Sequence, residues 1–226
     1  MCGITGIINF DGKPASSVHL QRMTTSLAHR GPDGEGVYVD GPIGFGHRRL
    51  SIIDLSPAGH QPMVSHDGQV VLSYNGEIYN FKELRAELKT LGHQFRSRTD
   101  SEVVLNAWQE WGTKCVKRFN GMFAFSILDK RENKVYLVRD RYGIKPLYYS
   151  YKGQSIFFGS EQKAILQHPD ANPSLDYKAL LEYFTFQNIF TDRTLLKDIK
   201  LLPAATIAIV SLTHKRIDFE NYWDYL

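Results

Sequence analysis

Short apolar runs alternate with polar turns along most of the chain, and only a few segments carry the three-to-four-residue spacing of a helix. Leu20, Met23 and Leu27 fall on one stripe, which predicts a helix over Leu20–Ala28. Asn80-Phe81-Lys82-Glu83 has the form of a capping box; Leu84, Leu88 and Leu91 follow on one face, and Gly92 is the stop. A longer helix is predicted over Asp100–Trp111, where Val104, Ala107, Trp108 and Trp111 share a stripe and Gly112 closes it. Short helices are expected at Glu161–Leu166 and Tyr177–Phe184.

The remainder reads as β-structure. The opening run from Met1 to Phe10 is apolar and predicts a buried strand that starts with the first residues. Further strands are expected at Val70–Tyr74, Phe123–Leu128 and Val135–Val138, the last two joined by a polar turn. Lys152-Gly153 between Leu147–Ser150 and Ser155–Phe158 marks a hairpin, and Thr206–Val210 with Arg216–Phe219 a final one. Strands adjacent in sequence and joined by short turns predict antiparallel sheets with helices over them. The class is therefore mixed α and β, not a doubly wound parallel fold.

Composition narrows the function classes. The 226 residues are 42% hydrophobic and 12% aromatic, enough for a sizeable core without disulfide or metal staples. Lys+Arg 27 against Asp+Glu 24 leaves a net charge of +3, which makes no electrostatic case for a nucleic-acid partner. No stretch approaches the roughly 18 apolar residues of a membrane helix; the longest candidate, Leu201–Val210, contains Pro203. Two cysteines, Cys2 and Cys115, are too few for a disulfide-built secreted domain, so a soluble cytoplasmic protein is expected. There is no internal repeat, no linker that splits the chain, and no glycine-rich loop suited to a phosphate.

Four places carry candidate chemistry. Cys2 becomes the chain terminus if Met1 is removed, and its α-amine, titrating near 7.7–8.0, would then serve as a base for its own thiol. The alternative is a small residue that starts a buried strand. Arg48-Arg49 beside a strand offers a bidentate grip for a carboxylate, or a solvated edge. Asn75-Gly76 offers a side-chain amide and an unobstructed backbone N–H to an oxyanion, or simply an Asn-Gly turn. Asp100, within Arg98-Thr99-Asp100-Ser101-Glu102, reads as a helix N-cap. Cys115 reads as a packing cysteine.

Taken together and in order, these segments resemble the class II glutamine amidotransferase domains, whose nucleophile is an N-terminal cysteine. Among the branches of that family the chain looks most like the amino-terminal half of glutamine-dependent asparagine synthetase. The resemblance is carried by His29-Arg30-Gly31-Pro32-Asp33, Arg49-Leu50-Ser51-Ile52-Ile53-Asp54, Asn75-Gly76-Glu77-Ile78-Tyr79-Asn80 and Gly121-Met122-Phe123-Ala124-Phe125. Arg139 to Leu147 and Gly159 to Ala164 extend it.

The resemblance implies an α+β fold, a four-layer αββα sandwich of two stacked antiparallel sheets. It implies that Cys2 attacks the side-chain amide of L-glutamine to form a thioester and release ammonia. Asn75 and the Gly76 N–H would form the oxyanion hole. Arg49 would hold the α-carboxylate with main-chain groups of Leu50, Ser51, Ile52 and Ile53, while Glu77 and Asp100 face the α-ammonium. His29–Asp33 would be a structural loop behind the site. No metal or cofactor is implied for this half; ATP and Mg²⁺ belong to a synthetase half, whose Ser-Gly-Gly-x-Asp-Ser loop does not occur here. The implied domain spans residues 2–212, with 213–226 beginning a linker to that C-terminal synthetase domain, and a homodimer is compatible with it. Three rivals stand beside this reading: a related domain serving a different acceptor, a non-catalytic module of the same fold, and a self-processed hydrolase of another acyl group. Where relatives commonly read Pro-Gly, this chain has Pro203-Ala204-Ala205.

Overall fold

The computed structural model describes residues 1–224. Strand β1 (Gly3–Asn9) leads through helix α1 (Ser17–Thr25) to the hairpin β2 (Gly34–Asp40) and β3 (Ile43–Arg49). The short β4 (Met63–Val64) precedes β5 (Val70–Ile78), the helices α2 (Phe81–Thr90) and α3 (Asp100–Trp111), and the hairpin β6 (Gly121–Asp129) and β7 (Lys134–Arg139). Then follow β8 (Tyr148–Lys152), β9 (Ser155–Gly159), α4 (Gln162–Ile165), α5 (Tyr177–Phe186), β10 (Lys200–Leu201), β11 (Thr206–Ser211) and β12 (Arg216–Asn221). The strands form two six-stranded sheets, ordered β10-β8-β9-β1-β3-β2 and β12-β11-β7-β6-β5-β4. Every pairing of named strands is antiparallel.

Three apolar clusters separate four layers. Between the sheets lie Ile4, Ile8, Phe45, Val71, Leu137, Phe158 and Val210. On the outer face of the first sheet, Ile7 and Phe157 meet Leu20 and Met23 of α1 and Ile165 of α4. On the outer face of the second, Leu72, Phe125 and Ile127 meet Leu84 and Leu88 of α2 and Val104 and Trp108 of α3. The period of two in β1 explains why both faces are needed: Ile4 and Ile8 point inward while Ile7 points to the helices. Each such side chain contributes about 1.5–3 kcal/mol on burial. Helix α1 sits close because Gly46 has no side chain; a Cβ there would come within 2.0 Å of Thr24 Oγ1.

Several elements differ from the sequence reading. Ser16 caps α1, accepting from His19 N–H, and the helix ends at Thr25. The hairpin β2–β3 falls where no strand was expected over Gly34–Asp40. Strand β5 runs on through Asn75-Gly76 to Ile78, so these residues are laddered to Ala124 and Phe123 and form no turn. Asn80 does not cap α2. Its Nδ2 donates to Arg118 O at 3.0 Å and its Oδ1 accepts from Asn120 N–H at 2.9 Å, tying that loop to the helix start. Leu91 is exposed, one residue beyond the end of α2. Thr99, not Asp100, caps α3; its hydroxyl accepts from Glu102 N–H at 3.2 Å.

Strand β12 pairs with β11 from Thr206↔Asn221 to Ser211↔Arg216, and the buried Tyr222 donates its hydroxyl to Arg139 O at 2.9 Å. The packed unit therefore continues past residue 212; of the stretch 213–226, residues 225 and 226 lie outside the described residues. Ala205, in the Pro203-Ala204-Ala205 segment, adopts φ 53°, the left-handed conformation a glycine takes without strain. His47 of β3 crosses between the sheets, its Nε2–H donating to Tyr74 O of β5 at 3.0 Å. Complete burial pushes its pKa down to about 3, so it is neutral. Among the described residues no helix is long and apolar enough to cross a membrane.

Candidate active site

Gly3 of β1 lies opposite Arg48 of β3, which sets Cys2 beside the residues that leave the first sheet after Arg49. The Leu50 N–H donates to Cys2 Sγ at 3.4 Å, and the thiol faces Leu50 O at 3.7 Å. Burial pushes the thiol pKa up; the Leu50 N–H and the Arg49 guanidinium act the other way, and Asp100 adds to the rise. The Cys2 carbonyl accepts from Arg30 Nε at 2.9 Å. Behind it, Arg30 Nη1 donates to Glu161 Oε1 at 3.0 Å, and His29 Nε2 lies 2.9 Å from the same oxygen. Burial opposes the charge on Glu161, but Arg30, His29 and Lys163 hold its pKa at about 2. The His29–Asp33 loop thus anchors the backbone of Cys2. It also reaches the loop after β3, where Asp33 Oδ2 accepts from Ser51 N–H at 2.8 Å.

The second sheet supplies the opposite wall. Asn75 is buried, 1% exposed, and its Nδ2 has no hydrogen-bond partner among the described residues. Such an orphaned buried donor is costly unless a ligand satisfies it. Gly76 follows, where a Cβ would lie 2.5 Å from Met122 O, so only glycine fits. Asp100, at the start of α3, accepts from Tyr74 Oη at 2.6 Å and from Ile78 N–H at 3.0 Å through one carboxylate oxygen. Burial raises its pKa against the effect of those two bonds. Opposed charge is therefore close at hand: the Arg49 guanidinium donates to Ser56 O at 2.8 Å and to Asp54 O, in space left by Gly59. These bonds use two donors of a group that carries more in the same plane.

All of this converges on a pocket of about 220 Å³. Cys2, Arg49, Leu50, Ser51, Ile52, Ile53, Asn75, Gly76, Glu77 and Asp100 all line it, so the structure brings together the residues that the family resemblance assigns to the site, whereas Arg48 turns away to Glu35 and Gly31 O. It adds Met1, Gln61, Tyr74, Met122 and Lys145. Of these, Gln61 Oε1 accepts from Tyr74 N–H at 2.7 Å, just beyond the end of the short β4–β5 ladder. Cys115 is far from this chemistry, wholly buried in the α2–α3 core. The arrangement sets a cysteine thiol, an unpartnered amide donor, a guanidinium and a buried carboxylate around one cavity, groups suited to acyl transfer from an amino acid amide.

A two-sheet sandwich with a cysteine at the head of a central strand is the architecture of the N-terminal-nucleophile amidotransferases. Residues 1–223 match the family model described as a glutamine amidotransferase domain, and the chain belongs to that family. It is 40% identical over 229 residues to asparagine synthetase [glutamine-hydrolyzing] 3 of Bacillus subtilis, covering 100% of this chain and 36% of the relative. It is 37% identical to the putative asparagine synthetase [glutamine-hydrolyzing] 2 of Methanocaldococcus jannaschii, covering 99% of this chain and 47% of the relative. The chain thus spans less than half the length of either. Among solved structures, glutamine phosphoribosylpyrophosphate amidotransferase from B. subtilis shares the fold, with a TM-score of 0.73 at 17% identity over 100% of this chain and 50% of that one.

Proposed function

We propose that this chain releases ammonia from the side-chain amide of L-glutamine and serves as the glutaminase part of an asparagine-forming enzyme. The observation that carries the reading is the orphaned Asn75 Nδ2 in the pocket that holds Cys2, Arg49 and Asp100. With Met1 removed, the neutral Cys2 α-amine takes the thiol proton and the thiolate attacks the amide carbon. Negative charge moves to the carbonyl oxygen, which Asn75 Nδ2–H and Gly76 N–H stabilise. The C–N bond breaks as the α-ammonium returns its proton to the departing nitrogen, leaving ammonia and a thioester. Water, activated by the same amine, hydrolyses the thioester to glutamate. Arg49, with main chain around Leu50–Ile53, holds the α-carboxylate, and Glu77 and Asp100 hold the α-ammonium, a charge pattern that fits an amino acid.

The ammonia acceptor, aspartate in this reading, belongs with ATP and Mg²⁺ to the remainder of the longer relatives, in the cytoplasm. Relatives named for asparagine synthesis, and the match of the arginine motif Arg49-Leu50-Ser51-Ile52 to that branch, favour it over another acceptor. The purified chain lacking Met1 should convert L-glutamine to glutamate and ammonia, and should form no asparagine from aspartate, ATP and Mg²⁺. Absence of glutamine turnover in an ammonia-release assay would end the reading. Arg49→Ala should raise KM for glutamine about 10- to 100-fold with little change in kcat, because a clamp remote from the scissile bond contributes uniform binding. An unchanged KM would remove Arg49 from the carboxylate site.

A further inference from the structure

Lys145 lines the same pocket and has no part in the mechanism above. It is 6% exposed, and its backbone is fixed on both sides in the loop between β7 and β8. Its N–H donates to Asp140 Oδ2 at 3.0 Å and its carbonyl accepts from Arg139 Nε at 2.9 Å. The ammonium Nζ reaches Met1 Sδ at 3.3 Å, and Arg30 Nη2 approaches the same sulfur at 4.0 Å. A thioether is a weak acceptor, a poor partner for a buried ammonium. Two cations therefore close on the side chain that precedes Cys2.

We propose that, once Met1 is removed, the Lys145 ammonium acts as a fixed positive charge beside the Cys2 terminus, keeping the α-amine in its proton-accepting form and favouring the thiolate. The inference rests on the glutaminase reading with a processed terminus. A neighbouring cation disfavours a second ammonium and favours an anion. When the S–H bond breaks and its proton passes to the amine, the resulting ammonium is made more acidic. It then surrenders that proton more readily to the departing nitrogen, so no outside acid or base is needed.

The other charges around the terminus leave this place to Lys145. From the loop after α1, Arg30 is paired with Glu161, which His29 and Lys163 also face. From β3, Arg49 is turned to the carbonyls of Asp54 and Ser56. From β5 and α3 come Glu77, and Asp100 with its Tyr74 partner, which the mechanism assigns to the substrate ammonium. Asp140 is occupied by the backbone N–H groups of Phe123, Tyr142, Ile144 and Lys145. Burial lowers the pKa of Lys145, as does Arg30, while Glu77, Asp140 and Cys2 raise it, so ammonium and thiol lie within each other's field.

The test is the pH profile of kcat/KM for L-glutamine, measured on processed wild type, Lys145→Met and Lys145→Arg. Lys145→Met should move the acid limb up by about one pH unit, so that activity at pH 6.5 falls about tenfold, with a plateau at high pH within about threefold of wild type. Lys145→Arg keeps the charge and should keep the wild-type limb. An acid limb unmoved in Lys145→Met overturns the proposal, as does an equal loss at every pH in both variants. If Lys145→Met does not fold, Lys145→Gln takes its place, with the same shift expected and an unmoved limb again overturning the idea. Processed wild type without glutamine turnover would count against the glutaminase reading, whereas a wild-type limb shared by every variant counts against Lys145 alone.

Discussion

Cys2→Ala should abolish glutamine hydrolysis, by at least about 10⁴-fold, while leaving the fold and glutamine binding close to intact. The thiol's hydrogen-bond partners are the Leu50 N–H and carbonyl, and strand pairing begins only at Gly3, so little packing depends on the sulfur. The residues assigned to the amino acid ends of glutamine stand on other segments. Ammonia release measured beside calorimetric binding of glutamine separates the two roles. Hydrolysis near the wild-type rate would make Cys2 only the small residue that begins a buried strand. Retention of Met1, verified by intact mass, should act like the substitution on turnover: an amide nitrogen neither accepts the thiol proton nor returns it. Full activity in such a chain would remove the α-amine from the mechanism.

Asn75→Ala should lower kcat by about 10² to 10³, the usual cost of one oxyanion donor, with KM much less affected. The substitution removes a donor that has no partner among the described residues, so no hydrogen bond to them through that nitrogen is lost. Thermal unfolding should therefore move little while turnover collapses. A variant with wild-type kcat would take the amide out of the oxyanion site.

The parts of the fold legible beforehand were those where one local signal agrees with the packing. The stripe Val104, Ala107, Trp108 marks α3 because that face meets the second sheet, and Lys152-Gly153 marks the β8–β9 hairpin because the turn chemistry is local. The hairpin β2–β3 was not legible. Gly34, Gly36, Gly44 and Gly46 lower its strand propensity, and the strands form because β1 and α1 pack on them. Asn75-Gly76 reads as a turn in isolation and becomes a strand only through its ladder to β6. The pocket residues given a part in binding or turnover were legible through the family's motifs. The places of Tyr74, Gln61 and Lys145 in the pocket were not, although Lys145 falls in the motif stretch Arg139 to Leu147, since their contacts join segments from different parts of the chain: Tyr74 to Asp100, Gln61 to Tyr74, Lys145 to Met1. Asn80 and Asp100 both stand at helix starts, where a short polar residue resembles a local cap in sequence, yet each spends its side chain on a distant strand or loop.

The position of β1 also bears on how the protein comes into being. Strand β1 lies inside its sheet, flanked on one side by β3 and on the other by β9, with Thr5 opposite Gly159. At about 5–20 residues per second, roughly 8–30 s pass between the synthesis of these two partners. Throughout that interval the sheet is incomplete, and Glu161, the anchor of Arg30, does not yet exist. In the proposed maturation, Met1 would leave before Arg30 and Lys145 close around its sulfur. The nascent chain has its own clock for maturation, set by the distance in sequence between a strand and its last neighbour.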